Sequence, residues 1–149
     1  MSEPADTDAA RALVVAEELR ALIGRLSRRL REQANSGDLT WSQVSVLIRL
    51  ERDGPATVTT LARAESVRPQ SMGATVSILE AARLVHGTPD PTDGRQTVLS
   101  LTPACRKMIK AGRAARADWL FRAIRTKLTS SEQERLATAI ELLRRLVDP

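Results

Sequence analysis

Residues 57–102 read TVTTLARAESVRPQSMGATVSILEAARLVHGTPDPTDGRQTVLSLT. Thr57 is an N-cap candidate for a short helix through Leu61 and Ala62, ending near Glu65. Ser66-Val67-Arg68 then predicts a tight turn. Pro69 suits the first position of the next helix, where its missing N–H costs nothing. That helix runs to about Ala82, with Met72, Val76 and Leu79 spaced as an inner face. The period then changes. Leu84-Val85 opens an extended segment, and Asp90-Pro91-Thr92-Asp93-Gly94 is a turn carrying the Asp-Gly hairpin signal. Thr97–Leu101 returns as a strand with Thr97, Leu99 and Leu101 on one face. A short helix, a turn, a second helix and a two-stranded hairpin make a winged helix-turn-helix.

Helices flank this unit on both sides. From about Ala9 to Gln33, Leu13, Ala16, Leu19, Ile23, Leu26 and Leu30 recur in steps of three and four. The polar residues before them, 1–8, are expected to form a frayed tail. Asn35-Ser36-Gly37-Asp38 breaks the pattern. Thr40 and Gln43 form a capping box for a helix carrying Trp41, Val44, Leu47, Ile48 and Leu50, which Asp53-Gly54-Pro55 ends. Downstream, Thr102 caps a long helix that opens with Pro103 and runs to about Lys127. Thr129 and Glu132 form a second capping box, before a helix with Leu136, Ile140, Leu143 and Val147 on one stripe. The expected class is mainly α with a small β-wing. One domain, 1–149, is expected, in which helices at about 9–34 and 103–149 flank a winged lobe at about 40–102.

Composition narrows the function. Aromatic residues are only 2%, so the core must be aliphatic, which favours helix on helix. The net charge of +5 suits a polyanionic partner. All but three of the 23 cationic residues are Arg, whose planar fork suits phosphate. The lone Cys105 cannot form an internal disulfide, and no run of about 18 apolar residues suggests a membrane span. A cytoplasmic protein with no membrane partner is expected. No phosphate-binding Gly loop, nucleophile elbow or clustered metal ligands occur, so neither an enzyme nor a cofactor is expected. His86 stands alone and reads as a wing residue near phosphate.

The stretch Asp90-Pro91-Thr92-Asp93-Gly94-Arg95, followed by Leu99-Ser100-Leu101-Thr102, resembles the wing signature of the MarR family of regulators. Leu128-Thr129 and Glu132 match as well, and the likeness covers nearly the whole chain in order. The resemblance implies a homodimer joined through the first and last two helices, with two winged lobes facing an inverted-repeat operator in double-stranded DNA. It also implies a repressor, often released by a small aromatic or phenolic ligand. Arg95 matches the family's wing-tip Arg, which enters the minor groove. Asp93 matches the Asp that holds that Arg by a charge-assisted bond.

On the expected recognition helix, the face opposite Met72, Val76 and Leu79 carries Gln70, Ala74, Ser77 and Ala81. Gln can pair with adenine, Ser can bond several base edges, and Ala can touch a thymine methyl. Arg68 and Ser71, near the helix start, are candidates for phosphate contact. The sequence also departs from the family. Gly73-Ala74 stands where many members carry Thr-Arg, Arg83 where many carry Gly, and Gly87 where many carry Arg. The segment from Pro69 to Ala82 therefore contains no cation. Two alternatives remain open: a weakly specific architectural DNA binder, and a protein-interaction module that has lost DNA binding. Trp41, Trp119 and Arg25 are candidates for a ligand pocket, with plain core packing as the alternative for the tryptophans. Cys105 reads as a packing residue rather than a redox sensor. The cations of the post-wing helix, Arg106 to Lys127, face only Asp118 and read as a solvated face or as extra attraction for phosphate.

Overall fold

The computed structural model describes residues 4–34 and 37–148. The elements run α1 (Pro4–Gln33), α2 (Trp41–Asp53), β1 (Ala56–Thr57), α3 (Val58–Ala64), α4 (Pro69–Ala81), β2 (Val85–Pro89), β3 (Thr97–Leu101), α5 (Pro103–Lys127) and α6 (Ser130–Val147). The chain divides into two compact units, a lobe over Ser36–Arg113 and a helical unit of Met1–Asn35 with Ala114–Pro149. The first turns of α5 thus belong with the lobe rather than with the flanking helices. The reason is packing: Cys105 is fully buried in the lobe core, with Met108 and Ile109 against it.

The lobe core is aliphatic, as the composition demands. Val46, Leu47 and Leu50 from α2 meet Leu61 and Ala62 from α3, and Met72, Val76 and Leu79 from α4. Val85, Leu99 and Leu101 close it from the strands. Fully burying each large side chain is worth about 1.5–3 kcal/mol. The capping boxes at Thr40/Gln43 and Thr129/Glu132 both form. Thr57 caps α3 by accepting the N–H of Thr60.

Two local expectations need correction. The hairpin is joined by a third strand: β1 pairs antiparallel with β3, Ala56 opposite Leu99, giving the order β1-β3-β2. Two residues are too short to show an alternating pattern, so only the pairing reveals them. Residues 4–8, expected in a tail, are helical, because Pro4 suits a first turn and Asp6 favours the positive helix end; residues 1–3 lie outside the described residues. The turn expected over residues 90–94 lies between the paired strands. β2 and β3 pair from Val85↔Leu101 to Pro89↔Thr97, and a longer loop closes with Asp90 N–H donating to the Gln96 carbonyl at 2.9 Å.

Two turns in the lobe use the left-handed region without glycine. After α3, Ser66 has φ 56°, with Val67 N–H donating to Ala62 and Ser66 N–H to Arg63. After α4, Arg83 has φ 58°, with Leu84 N–H donating to Leu79 and Arg83 N–H to Glu80. Both are Schellman motifs, which satisfy carbonyls left over at a helix end. Glycine is the usual occupant, because a left-handed non-glycine residue costs on the order of 1–3 kcal/mol.

Arg83→Gly should therefore stabilise the protein by about 1 kcal/mol. The check is a denaturant titration, in which the midpoint rises while the slope stays constant.

Candidate nucleic-acid interface

The helix α4 is half anchored and half open. Met72, Val76 and Leu79 are buried, while Gln70, Ser71, Ala74, Ser77, Ile78, Glu80 and Ala81 are exposed. The expected inner and outer faces are therefore the observed ones. Arg68 occupies the N-cap, where its guanidinium, a donor only, makes no side-chain cap bond. Ser77 Oγ donates to the Gly73 carbonyl at 3.0 Å, which leaves its lone pairs outward. Gly73 is half-buried, and a Cβ built there would meet nothing within 4 Å. No packing inside the chain thus requires glycine at this helical position.

The turn before α4 is braced from α2. Glu65, the C-cap of α3, accepts Ser45 Oγ at 2.8 Å and the Arg49 Nε–H. Arg49 Nη1 also reaches Asp53 at 3.4 Å. The Arg49 and Glu65 side chains are 27% and 19% exposed, so this ion pair is partly shielded from water and salt. The hydrogen bond from Arg49 holds the Glu65 carboxyl below its ordinary range, against the opposing effect of burial.

At the other end of α4 the wing is tied down by one hydroxyl. Thr102 Oγ1 donates to the Arg83 carbonyl at 2.8 Å and accepts Cys105 N–H at 3.1 Å. Thr102 N–H donates to the Leu84 carbonyl at 3.1 Å. The base of the wing, the end of α4 and the start of α5 therefore share a single bonded junction. Gly87 in β2 lies close to Thr97 Cγ2 and to Glu80 of α4, where an added Cβ would clash. An arginine in that place would have to displace Thr97.

The wing loop is built from two carboxylates. Asp90 Oδ1 accepts the Thr92 N–H and hydroxyl, which lowers its pKa. Asp93 Oδ1 accepts the backbone N–H of Arg95 at 3.1 Å. This corrects the expected pairing: Asp93 shapes the loop through the main chain, and the guanidinium of Arg95 has no ion pair among the described residues. The short span from Asp93 to Arg95 favours this turn over a side-chain bridge.

By count, charge between Leu61 and Arg95 cancels, four arginines against four acids. Geometry does not treat them equally. Glu65, Asp90 and Asp93 are engaged in internal bonds. Arg63, Arg68, Arg83 and Arg95 are exposed and make no salt bridge among the described residues. On α5, Arg113 binds Glu51 at 2.9 Å, Arg122 binds Asp118 at 2.6 Å and Arg125 lies over Phe121. Arg106, Lys107 and Lys110 stay exposed.

The remaining candidates fall in both units. Trp41 is exposed at the start of α2 in the lobe, whereas exposed Arg25 and half-buried Trp119 belong to the helical unit. Cys105 is fully buried, and burial pushes its thiol pKa up, as suits packing rather than thiolate chemistry. No group of three or more potential metal ligands occurs among the described residues. No helix there is long and apolar enough to cross a membrane.

Comparison with known proteins gives this geometry a family. The MarR family model matches residues 39–97. An uncharacterized HTH-type transcriptional regulator of Mycobacterium bovis is 37% identical over 90% of the chain and 93% of its own length. The chain belongs to the MarR family. It is a transcriptional regulator with a DNA-binding winged helix, not an enzyme. A proposed transcriptional regulator of Pseudomonas aeruginosa superposes with a TM-score of 0.80 at 36% identity, covering 93% of this chain and 97% of that one. A mutant of S. aureus MepR, crystallised with an oligodeoxyribonucleotide, shares the fold with a TM-score of 0.71 at 20% identity, covering 89% and 97%.

Reading the sequence missed three features of this MarR-family lobe. Ile78 belongs to the outward face, four residues beyond Ala74, a spacing visible on a helical wheel. The Arg49–Glu65 brace and the Thr102–Arg83 link join residues distant in sequence and left no local signal.

Glu65→Gln should cost about 1–2 kcal/mol of stability by weakening a charge-assisted bond. Because the folded-state pKa of Glu65 is depressed, its contribution is present above the ordinary value of 4.5 and lost as pH falls below it. Denaturation midpoints of both proteins across acidic pH should converge as the carboxylate protonates.

Proposed function

We propose that the chain is a homodimeric, ligand-responsive repressor that binds an inverted-repeat operator, its half-sites about one helical turn apart. The observation that carries the reading is α4 itself: one face is locked into the core, the other is exposed, and unpaired arginines lie at its N-cap and on the neighbouring wing. In this reading Gln70, Ala74 and Ser77 meet base edges, Arg68 and Ser71 meet phosphate, and Arg95 enters the minor groove from a loop shaped by Asp93. Arg106, Lys107 and Lys110 add longer-range attraction for the duplex. The DNA-bound MepR mutant supports DNA as the partner. Such a regulator works in the cytoplasm, where the chromosome lies.

The helical unit supports the dimer. Leu13, Val14, Val15, Leu22, Ile23 and Leu26 of α1 are exposed, as are Leu142, Leu143, Leu146 and Val147 of α6. Ala34, 9% exposed, is the single buried apolar residue among the described residues of this unit. Two long helices with open apolar faces cannot be stable in water alone, and a second copy would cover them. A small aromatic or phenolic ligand would release the operator by favouring a different spacing of the two α4 helices.

One observation favours the rival reading of a weakly specific architectural binder: α4 has no cation. Selection from a random duplex pool separates the two, because an enriched palindrome supports the operator and none supports the rival. On the selected duplex, Arg95→Ala should weaken binding about tenfold. Arg68→Ala should reduce the salt slope by about 1. Sedimentation should give a dimer at micromolar concentration; a stable monomer, or no duplex bound at low salt, would overturn the proposal.

A further inference from the structure

The outward face of α4 is chemically unusual for a surface that meets a polyanion. Gln70, Ala74 and Ile78 follow one another at steps of four, so they form one stripe along the helix. Ile78 is 52% exposed although the lobe core lies on the opposite side of the same helix. Ser77, next to it, spends its hydrogen on the Gly73 carbonyl. Gly73 sacrifices about 1 kcal/mol of helix propensity, yet a Cβ there would touch nothing inside the chain. The helix has no acid in its first turn and no base in its last, and its cations stand off the face, at Arg68 before it and Arg83 after it. The centre of this surface therefore offers methyl and methylene groups, while Arg68 and Arg83 stand at its ends, the second beside the exposed Glu80 carboxylate.

The DNA major groove presents one apolar group, the C5-methyl of thymine. Guanine is read chiefly by Arg or Lys on O6 and N7, and this face has neither. We propose that Ala74 and Ile78 read thymine methyl groups, with the bare backbone at Gly73 allowing close approach, so that the half-site is selected for A·T pairs. The proposal rests on the reading of α4 as the helix that enters the major groove. The arginines at the helix ends fit this occupant, because phosphates flank the groove on both sides.

Thymine and deoxyuridine differ only by the C5-methyl, which makes the test direct. A selected duplex is prepared with thymine or with deoxyuridine in its half-sites, and both are titrated with the full chain. Binding should weaken about fourfold for each contacted methyl removed. In Ile78→Ser, whose exposed position spares the core, the ratio between the two duplexes should fall towards one. That collapse marks direct contact, since an altered duplex shape would affect both proteins alike. Equal binding of the two duplexes by the wild type would overturn the inference while leaving DNA recognition intact. Absence of binding to either duplex would remove the parent reading, and this one with it. If Ile78→Ser instead shifts the subunit equilibrium in sedimentation and leaves the ratio unchanged, Ile78 faces protein, and the inference falls.

Discussion

Leu61 and Leu79 are fully buried against each other's neighbours in an aliphatic core, and the lobe's outer surface depends on that anchoring. Leu61 fixes the short α3, and Leu79 fixes the end of α4. Between them the chain must reverse within a few residues. The reversal is achieved by Ser66 in the left-handed region, and a second such turn at Arg83 launches the wing. Each turn places a strained backbone where buried leucines leave no alternative path. The cost of the strain is offset by core burial and by the carbonyls that the turns satisfy.

Electrostatics then acts on a surface already shaped by packing. Counted along the chain, the lobe between Leu61 and Arg95 is neutral. Glu65 turns to Arg49 and Ser45, Asp90 and Asp93 are hydrogen-bonded within the wing loop, and Glu80 of α4 stays exposed. The arginines are left facing water. In the proposed interface, a helix without cations lies between exposed arginines, so cations at the rim would supply affinity and on-rate, and the stripe of Gln70, Ala74 and Ile78 the discrimination.

The helical unit presents the opposite problem. Its helices are long, and α6 is capped at both ends, but exposed apolar stripes run along α1 and α6. The lobe buries its leucines by itself. In the proposed dimer, stability of the helical unit and assembly would be one process, since the same side chains would serve both.

The sequence by itself determined the order of elements, both capping boxes, the inner face of α4 and the winged architecture, because each rests on neighbours three or four residues apart or on alternation within a strand. It also pointed to most of the residues that α4 exposes, though not to Ile78 or Glu80. Tertiary structure alone decided the third strand, the bond from Asp93 to the main chain rather than to the guanidinium, the brace from Arg49 to Glu65, and the inclusion of the first turns of α5 in the lobe. These features join positions far apart in the chain, or depend on a φ angle that residue type does not announce at Ser66 and Arg83. Local periodicity records which side of a helix is apolar. Which distant group lies opposite is settled only when the core closes.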